Sequence, residues 1–268
     1  MDELIVLGTG NAMVTRCYNT CFSIYNGEEY FLVDAGGGNE ILRIMDKAKI
    51  GFNKIHNIFV THGHTDHILG IIWVIRKIGT LVLNGKYEGD LSIFCHEDLI
   101  HTIKTISELT LQKKVTKLFG DRIYMKAVSD GETREIMNYD VTFFDIHSTK
   151  AKQYGFTTKL CNGKKLTCLG DEPYNPICEQ YVKDSDWLLC EAFCLYVERD
   201  KFRPYEKHHS TVKEACELGT ELKIRNLVLW HTEDRNIERR KELYTKEGKE
   251  YYKGNLYVPD DLEKINLN

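Results

Sequence analysis

The amino-acid sequence predicts a layered α/β sandwich. Short apolar runs typical of strands are mixed with segments of helical periodicity, in an irregular order. Histidines and acidic residues repeatedly follow directly after those strand runs, where loops are expected. This mixture favours a sandwich of packed layers over a strict alternation of one strand with one helix.

The first third of the chain is predicted to contain four strands, two helices and a polar loop. Asn26-Gly27 is typical of a hairpin turn because both residues tolerate a positive φ. A helix is expected where Ile41, Ile44, Met45 and Ala48 recur at helical spacing. The predicted strands here are 4–7, 20–25, 30–33 and 55–60, the helices 39–49 and 68–78, and the polar loop 61–66.

The remaining elements continue the same theme of polar residues at strand ends. Thr211 and Glu214 are spaced as a capping box, which predicts a helix start. A final core strand ends at His231, and an earlier one delivers His147. The predicted strands are 91–95, 139–146, 165–169, 187–190 and 224–230, and the predicted helices are 98–111 and 211–218.

Length and composition predict one folded domain spanning residues 1–268. No repeat, low-complexity tract or proline-rich linker divides the chain. The hydrophobic fraction of 42% and the charged fraction of 28% are typical of globular proteins. We expect a cytoplasmic protein with no membrane partner, because neither a signal peptide nor a membrane-spanning stretch is recognisable. The nine cysteines are expected to be reduced thiols.

The charge balance gives no indication of a nucleic-acid partner. The formal net charge is −4, which provides no general attraction for a polyphosphate backbone. Lysines and arginines gather in 104–117 and 235–249, but acidic residues are interleaved with them. Both stretches are interpreted as solvated helix faces.

The strongest local signal is the segment His62-Gly63-His64-Thr65-Asp66-His67. It places three imidazoles and one carboxylate within six positions. Imidazole nitrogen and carboxylate oxygen are ligands that suit zinc, iron or manganese, and a short loop can turn several of them toward one point. The alternative is a polar turn with incidental histidines, which the small interleaved residues disfavour.

This segment, following an apolar strand, resembles the signature loop of the metallo-β-lactamase superfamily. The resemblance implies an αββα sandwich of two mixed sheets flanked by helices. It also implies two divalent metal ions, zinc first, with manganese or iron accepted by the same donors. Residue by residue, it assigns His62, His64 and His147 to one metal, Asp66, His67 and His231 to the other, and Asp171 to the bridge.

Further segments resemble ribonuclease Z and its phosphodiesterase relatives, namely 8–10, 19–20, 34–37 and 209–211. Glu191-Ala192 is similar to that branch's His-Glu-Ala-Thr motif, although Cys190 and Phe193 replace its His and Thr. The candidate catalytic residues are Asp66, Glu191 and His209, with His208 as an alternative to His209. Asp34 is interpreted either as an orienting partner of a metal-bound histidine or as a turn cap. Because relatives commonly pair, a homodimer is expected.

The function expected from this resemblance is hydrolysis of a phosphodiester, in RNA or in a smaller cyclic or linear compound. A hydroxide shared by the two metals would be the nucleophile. The alternatives are tRNA 3′ processing, hydrolysis of a thioester, lactone, lactam or sulfate ester, and a non-enzymatic metal-binding scaffold. Processing of tRNA is disfavoured, because only 23 residues separate His147 from Asp171, where ribonuclease Z usually carries its long tRNA-binding arm. An arm placed elsewhere would lie in 78–91 or 102–122.

Overall fold

The computed structural model describes residues 2–268. Fourteen strands form two seven-stranded sheets, and eight α-helices accompany them. The architecture is the αββα sandwich that the resemblance implied, with helices flanking the two mixed sheets.

The first sheet combines an antiparallel edge with a parallel half. Its strands are β1 (Glu3–Gly8), β2 (Cys21–Tyr25), β3 (Tyr30–Val33), β4 (Ile55–Phe59), β5 (Leu91–Cys95) and β6 (Ile123–Ala127), with β14 (Lys264–Asn266) beside β1. Strands β14 to β3 pair antiparallel, and β3 to β6 pair parallel.

The second sheet mirrors this arrangement. Its strands are β7 (Thr133–Ile136), β8 (Tyr139–Asp145), β9 (Tyr154–Lys159), β10 (Lys165–Cys168), β11 (Trp187–Glu191), β12 (Asn226–Trp230) and β13 (Asn255–Tyr257), in that spatial order. Strands β7 to β10 pair antiparallel, and β10 to β13 pair parallel. In both sheets the carboxyl ends of the parallel strands therefore meet at one edge.

The helices follow the strands in chain order. They are α1 (Glu40–Lys47), α2 (Thr65–Leu83), α3 (Glu97–Thr110), α4 (Lys113–Thr116), α5 (Glu179–Val182), α6 (Arg199–Phe202), α7 (Val212–Glu221) and α8 (Arg240–Tyr251). The predicted loop 61–66 is partly wrong, because α2 already begins at Thr65. Thr211 and Glu214 form the predicted capping box at the start of α7.

Successive side chains of β1 pack into two different hydrophobic cores. Leu4 and Val6 of β1 pack between the sheets, whereas Ile5 and Leu7 face the helices of the first half. Because both faces of β1 are covered, its sequence is continuously apolar instead of alternating with polar residues. Large aromatic rings fill the layer between the sheets, with Phe22 and Trp230 stacked at a ring-centroid distance of 4.8 Å.

One close backbone contact fixes α2 against the loop after β3. A Cβ at Gly70 would lie 1.8 Å from the carbonyl oxygen of Ala35, and the Gly70 amide donates to the Gly36 carbonyl at 2.8 Å. Only glycine allows this approach. The contact brings the first turn of α2, which carries Asp66 and His67, next to Asp34.

All nine cysteines are free thiols, as predicted. Among residues 2–268, no helix combines the length and the apolar character needed to span a membrane.

Candidate metal centre

Five of the seven predicted metal ligands lie together in the structure. The side chains of His62, His67 and Asp171 form one group, and those of Asp66, His67 and His231 form a second. Within each group the potential ligand atoms lie within 4.8 Å of one another, and all five residues are buried. His67 belongs to both groups.

Asp171 lies at the point where these imidazoles converge. Its Oδ2 atom is 3.6 Å from Nε2 of His62, 3.7 Å from Nε2 of His67 and 3.5 Å from Nε2 of His231. Asp66 Oδ2 is 3.3 Å from Nε2 of His67. Ligands bound to one zinc at about 2.0 Å in a tetrahedral arrangement are about 3.3 Å apart, so these separations fit shared ligation of a cation.

The topology explains this convergence. His62 follows β4, Asp171 follows β10 and His231 follows β12, so each residue comes just after the carboxyl end of a parallel strand. Residues in such positions meet at one edge of a sheet, and the two sheets face each other there. Asp66 and His67 join them from the first turn of α2, where the helix dipole also favours a carboxylate.

His64 and His147 lie outside both groups. His64 Nδ1 is 2.8 Å from His62 Nε2, and the residue is half-buried beside the centre. His147 is exposed at the end of β8, in a left-handed conformation with φ of 57°, and its amide donates to Asp145 Oδ1 at 2.7 Å. The structure therefore groups His62 with His67 and Asp171, and ligation by His64 and His147 stays a prediction.

Asp34 orients His67. Its Oδ2 atom lies 2.7 Å from His67 Nδ1, and its carboxylate also accepts hydrogen bonds from the Thr61 amide and hydroxyl at 2.9 and 2.7 Å. A carboxylate on one ring nitrogen directs the other nitrogen to a metal. His67 Nε2 is buried, has no hydrogen-bond partner in residues 2–268, and faces Asp66 and Asp171. Of the two interpretations of Asp34, the geometry matches the orienting one.

The electrostatics of the site suit a cation. Burial lowers the pKa of His62 and of His231, which favours neutral imidazoles. At His67 burial is outweighed by the carboxylates of Asp66 and Asp34, which hold its pKa well above the usual range. Burial acts to raise the pKa of Asp171, but the positive charge that His62, His231 and His67 carry when protonated outweighs it and holds that pKa well below its usual range. Neutral imidazole and ionised carboxylate are the forms that bind divalent metals.

A second buried pair, Glu191 and His209, lies beside the centre. Glu191 ends β11 directly opposite Trp230 of the parallel strand β12, so it lies next to His231. Its Oε1 accepts a hydrogen bond from the Ser210 amide at 2.6 Å, and its Oε2 lies 3.7 Å from His209 Nδ1. Burial raises the pKa of Glu191 to about 8 and lowers the pKa of His209 to about 3.

The structure separates His209 from its neighbour His208. The His209 ring stacks on Phe193 at a centroid distance of 5.0 Å and lies 5.1 Å from the His231 ring. His208 is exposed, and its Nδ1 is 2.8 Å from the Thr149 hydroxyl. His209 is therefore the histidine that faces the centre.

A cavity of about 630 Å³ opens onto this centre. Asp66, Asp171, His209 and His231 line it, and the cationic residues of its lining are Lys150, Lys207 and Arg235.

Two of the acidic residues that line the cavity, Glu233 and Asp234, accept hydrogen bonds from backbone amides. Glu233 accepts from the Arg235 amide at 2.6 Å, and Asp234 accepts from the amides of Thr15 and Arg16 at 2.6 and 2.9 Å. Within the described chain, the Lys207 ammonium and the Arg235 guanidinium make no ion pair. Three cationic side chains thus line the cavity together with four carboxylates, those of Asp66, Asp171, Glu233 and Asp234.

Sequence reasoning missed Lys150 and Gln153, which both come from the 23-residue stretch between His147 and Asp171. Lys150 Nζ lies 3.2 Å from the Lys207 carbonyl oxygen and 3.5 Å from Glu172 Oε1. Gln153 donates to Asp171. Neither belongs to a motif, and an isolated lysine or glutamine in a short connection carries no signal of its contacts.

The fold and the arrangement of histidines and aspartates define a metal-dependent hydrolase of the metallo-β-lactamase superfamily. Within that superfamily, residues 2–250 match the family model described as "Anti-Pycsar protein Apyc1", and the chain belongs to this family.

Similar proteins agree with this class. A ribonuclease Z from Thermococcus sibiricus is 28% identical, and the alignment covers 100% of this chain and 97% of that protein. Among solved structures, the metallo-β-lactamase fold protein YhfI from Bacillus subtilis has a TM-score of 0.80 at 16% identity, covering 98% of both chains. The short form of human tRNase Z has a TM-score of 0.76 at 18% identity, covering 99% of both chains. At these identities the two structures show the shared fold alone.

Proposed function

We propose that this chain hydrolyses a phosphodiester bond at a centre of two divalent metal ions, zinc first. The observation that carries the proposal is the convergence of Asp171 Oδ2 with three imidazole nitrogens beside a cavity that is also lined by three cationic side chains. The ligands would be His62, His64, Asp66, His67, His147, Asp171 and His231, with Asp171 as the bridge. Manganese and iron suit the same donors.

Two cations at such a site lower the pKa of bound water toward neutrality and offset negative charge on the phosphoryl group. Side chains of the protein would carry out the proton transfer. His209 lines the cavity and would transfer a proton to the leaving oxygen. Glu191, whose Oε2 lies 3.7 Å from Nδ1 of that ring and whose raised pKa keeps its carboxyl protonated near neutral pH, would orient the ring and supply its Nδ1 with a proton as the ring gives one up.

The cationic side chains that line the cavity support an anionic substrate. Lys150, Lys207 and Arg235 would attract a phosphodiester, and their charge gives no such advantage to a neutral thioester, lactone or lactam. A sulfate ester is also anionic and stays an alternative for the test. The cavity of about 630 Å³ has the size of a small-molecule site.

Processing of tRNA 3′ ends is the second candidate, because the ribonuclease Z from Thermococcus sibiricus is similar over nearly its full length. The connection between His147 and Asp171 argues against it. That connection holds only β9, a turn and β10. The two other stretches considered for an arm are occupied by the end of α2, a loop, α3 and α4.

The test is a substrate panel at defined metal loading. Purified protein restored with zinc, and separately with manganese, is assayed against bis-p-nitrophenyl phosphate, a p-nitrophenyl carboxylic ester, a p-nitrophenyl sulfate, a thioester and a β-lactam. We expect hydrolysis of the phosphodiester to exceed the others. Hydrolysis of a neutral substrate with an inert phosphodiester would contradict the proposal, and no turnover with full metal content would favour a scaffold.

A further inference from the structure

We propose that Gln153 is a positioning residue of the metal centre, which holds the Asp171 carboxylate so that a single oxygen faces the imidazoles. The inference rests on the metal-binding part of the proposed function and does not depend on the substrate.

The two oxygens of Asp171 have different surroundings. Oδ1 accepts a hydrogen bond from Gln153 Nε2 at 2.6 Å, whereas Oδ2 faces the Nε2 atoms of three histidines at 3.5 to 3.7 Å. An ionised carboxylate only accepts hydrogen bonds, so the amide NH₂ must be the group that faces it. The Gln153 side chain thus occupies Oδ1 and leaves Oδ2 for the centre. Gln153 is only 1% exposed, so water does not compete for this bond.

The backbone beside Asp171 is built around this contact. Gly170 has a φ of 83°, and a Cβ at this position would lie 2.4 Å from Gln153 Nε2 and 3.0 Å from its Cδ. Any other residue at 170 would push the amide away and would also be strained at this φ. The glycine before the aspartate therefore makes room for the glutamine.

The backbone around Gln153 also connects the other ligand segments. The Gln153 carbonyl accepts from the amide of Ile146, which is next to His147, and the Tyr154 amide donates to the carbonyl of Thr61, which precedes His62. Both bonds are 3.0 Å long. Because they involve only backbone atoms, they stay in place when the Gln153 side chain is replaced. A side-chain variant therefore probes the contact with Asp171 separately from the path of the chain.

The physical consequence concerns metal affinity. A carboxylate with both oxygens free can rotate and can chelate one cation with both, which removes it from the bridging position. A charge-assisted hydrogen bond to one oxygen prevents this. Replacing groups that orient metal ligands typically lowers metal affinity by about 10- to 100-fold.

The test compares zinc affinity of the full chain and its variants, measured by competition with a chelator after metal removal. Gln153→Met keeps the approximate volume but removes the donor, and Gln153→Glu places a second carboxylate against Asp171. We expect zinc affinity to fall about 10- to 100-fold in Gln153→Met and further in Gln153→Glu. The d–d absorption of the cobalt-substituted protein should also change, because the ligand arrangement around the metal changes.

Thr158→Val is the matched control, because it removes one partly buried hydrogen bond, from the Thr158 hydroxyl to the Asp140 carbonyl at 3.0 Å, in the strand that follows Gln153. It should leave zinc affinity and the cobalt spectrum unchanged. If Gln153→Met does not fold, Gln153→Asn replaces it, since the shorter amide keeps its polarity but cannot reach Asp171.

Zinc affinity within twofold of the parent in the Gln153 variants, or an equal loss in Thr158→Val, overturns the inference. A parent chain that binds no zinc overturns the proposed function instead, and the inference falls with it. Zinc binding that depends on Gln153 in a chain without phosphodiesterase activity supports the inference and contradicts the proposed substrate.

Discussion

The replacement Glu191→Gln tests the protonation of the buried pair beside the centre. Glu191 is fully buried, and Oε2 of its carboxyl has no hydrogen-bond partner within residues 2–268. Burial raises its pKa to about 8, compared with about 4.3 for a free glutamate side chain. Glutamine has nearly the same shape, can accept the hydrogen bond from the Ser210 amide, and stays neutral at every pH.

The sign of the expected effect follows from proton linkage. Between about pH 4.3 and pH 8, the folded chain holds a proton on Glu191 that the unfolded chain has released. The free energy of unfolding of the parent should therefore decrease as the pH rises through this window. One pKa unit corresponds to about 1.4 kcal/mol, which sets an upper limit of about 5 kcal/mol for the whole window. Structural relaxation and water penetration reduce the expected value to about 2 to 3 kcal/mol.

The assay is urea unfolding of the chelator-treated protein from pH 4.5 to pH 8.5. As the pH rises through this range, the free energy of unfolding of the parent should fall by about 2 to 3 kcal/mol relative to that of Glu191→Gln. Glu135→Gln, at an exposed position of β7, is the control and should run parallel to the parent. A constant difference between parent and Glu191→Gln would refute the reasoning, because Glu191 would then be ionised in the folded chain.

Four further outcomes follow from the site. Asp171→Ala should retain fewer than two metals per chain by elemental analysis, because it removes the residue common to three imidazoles; unchanged metal content would exclude a bridging role. His209→Ala should lower kcat about 10²- to 10⁴-fold with metal content intact, and less for p-nitrophenolate, which needs no proton; equal losses for good and poor leaving groups would exclude a general acid. Lys150→Gln should raise KM for bis-p-nitrophenyl phosphate severalfold, whereas Lys152→Gln, which lies outside the cavity lining and removes an exposed ion pair with Asp98 and a contact with the Tyr154 ring, should not. Cleavage of a precursor tRNA with a 3′ trailer should be slow compared with small-diester hydrolysis at equal metal loading, and efficient cleavage after the discriminator base would reverse that order.

The sequence was most informative where the chemistry is local. His62 to His67 carry both ligand types within six residues, and the predicted strand before them, 55–60, has four apolar residues out of six. His231 and Asp171 could be placed because each follows a strand, and parallel strands end at a shared edge. Their mutual distances, by contrast, depend on the register of strands far apart in the chain, for which a single sequence carries no signal.

Elements with weak periodicity were missed. Helix α8 was expected only as a solvated helix face within 235–249, without bounds or a buried side, and most of its residues are charged. Only Arg240, Tyr244 and Gly248 are buried, on one narrow stripe with a single apolar side chain. Strands β13 and β14 are three residues long and gain their pairing only from the sheet edges that they cover. Such elements are determined by tertiary contacts and not by their own sequence.

The connection between His147 and Asp171 is too short for the long tRNA-binding arm of ribonuclease Z. Its contacts give it a different significance. Ser148 donates to Glu172 at 2.7 Å, and Thr149 contacts His208, so the connection is fastened to the segment after Asp171 and to the segment before His209. A long flexible insertion at this point would have to leave the cavity wall in order to reach a distant substrate. Here the connection contributes Lys150 to the lining of a cavity of about 630 Å³, a size that favours a substrate small enough to be held within it.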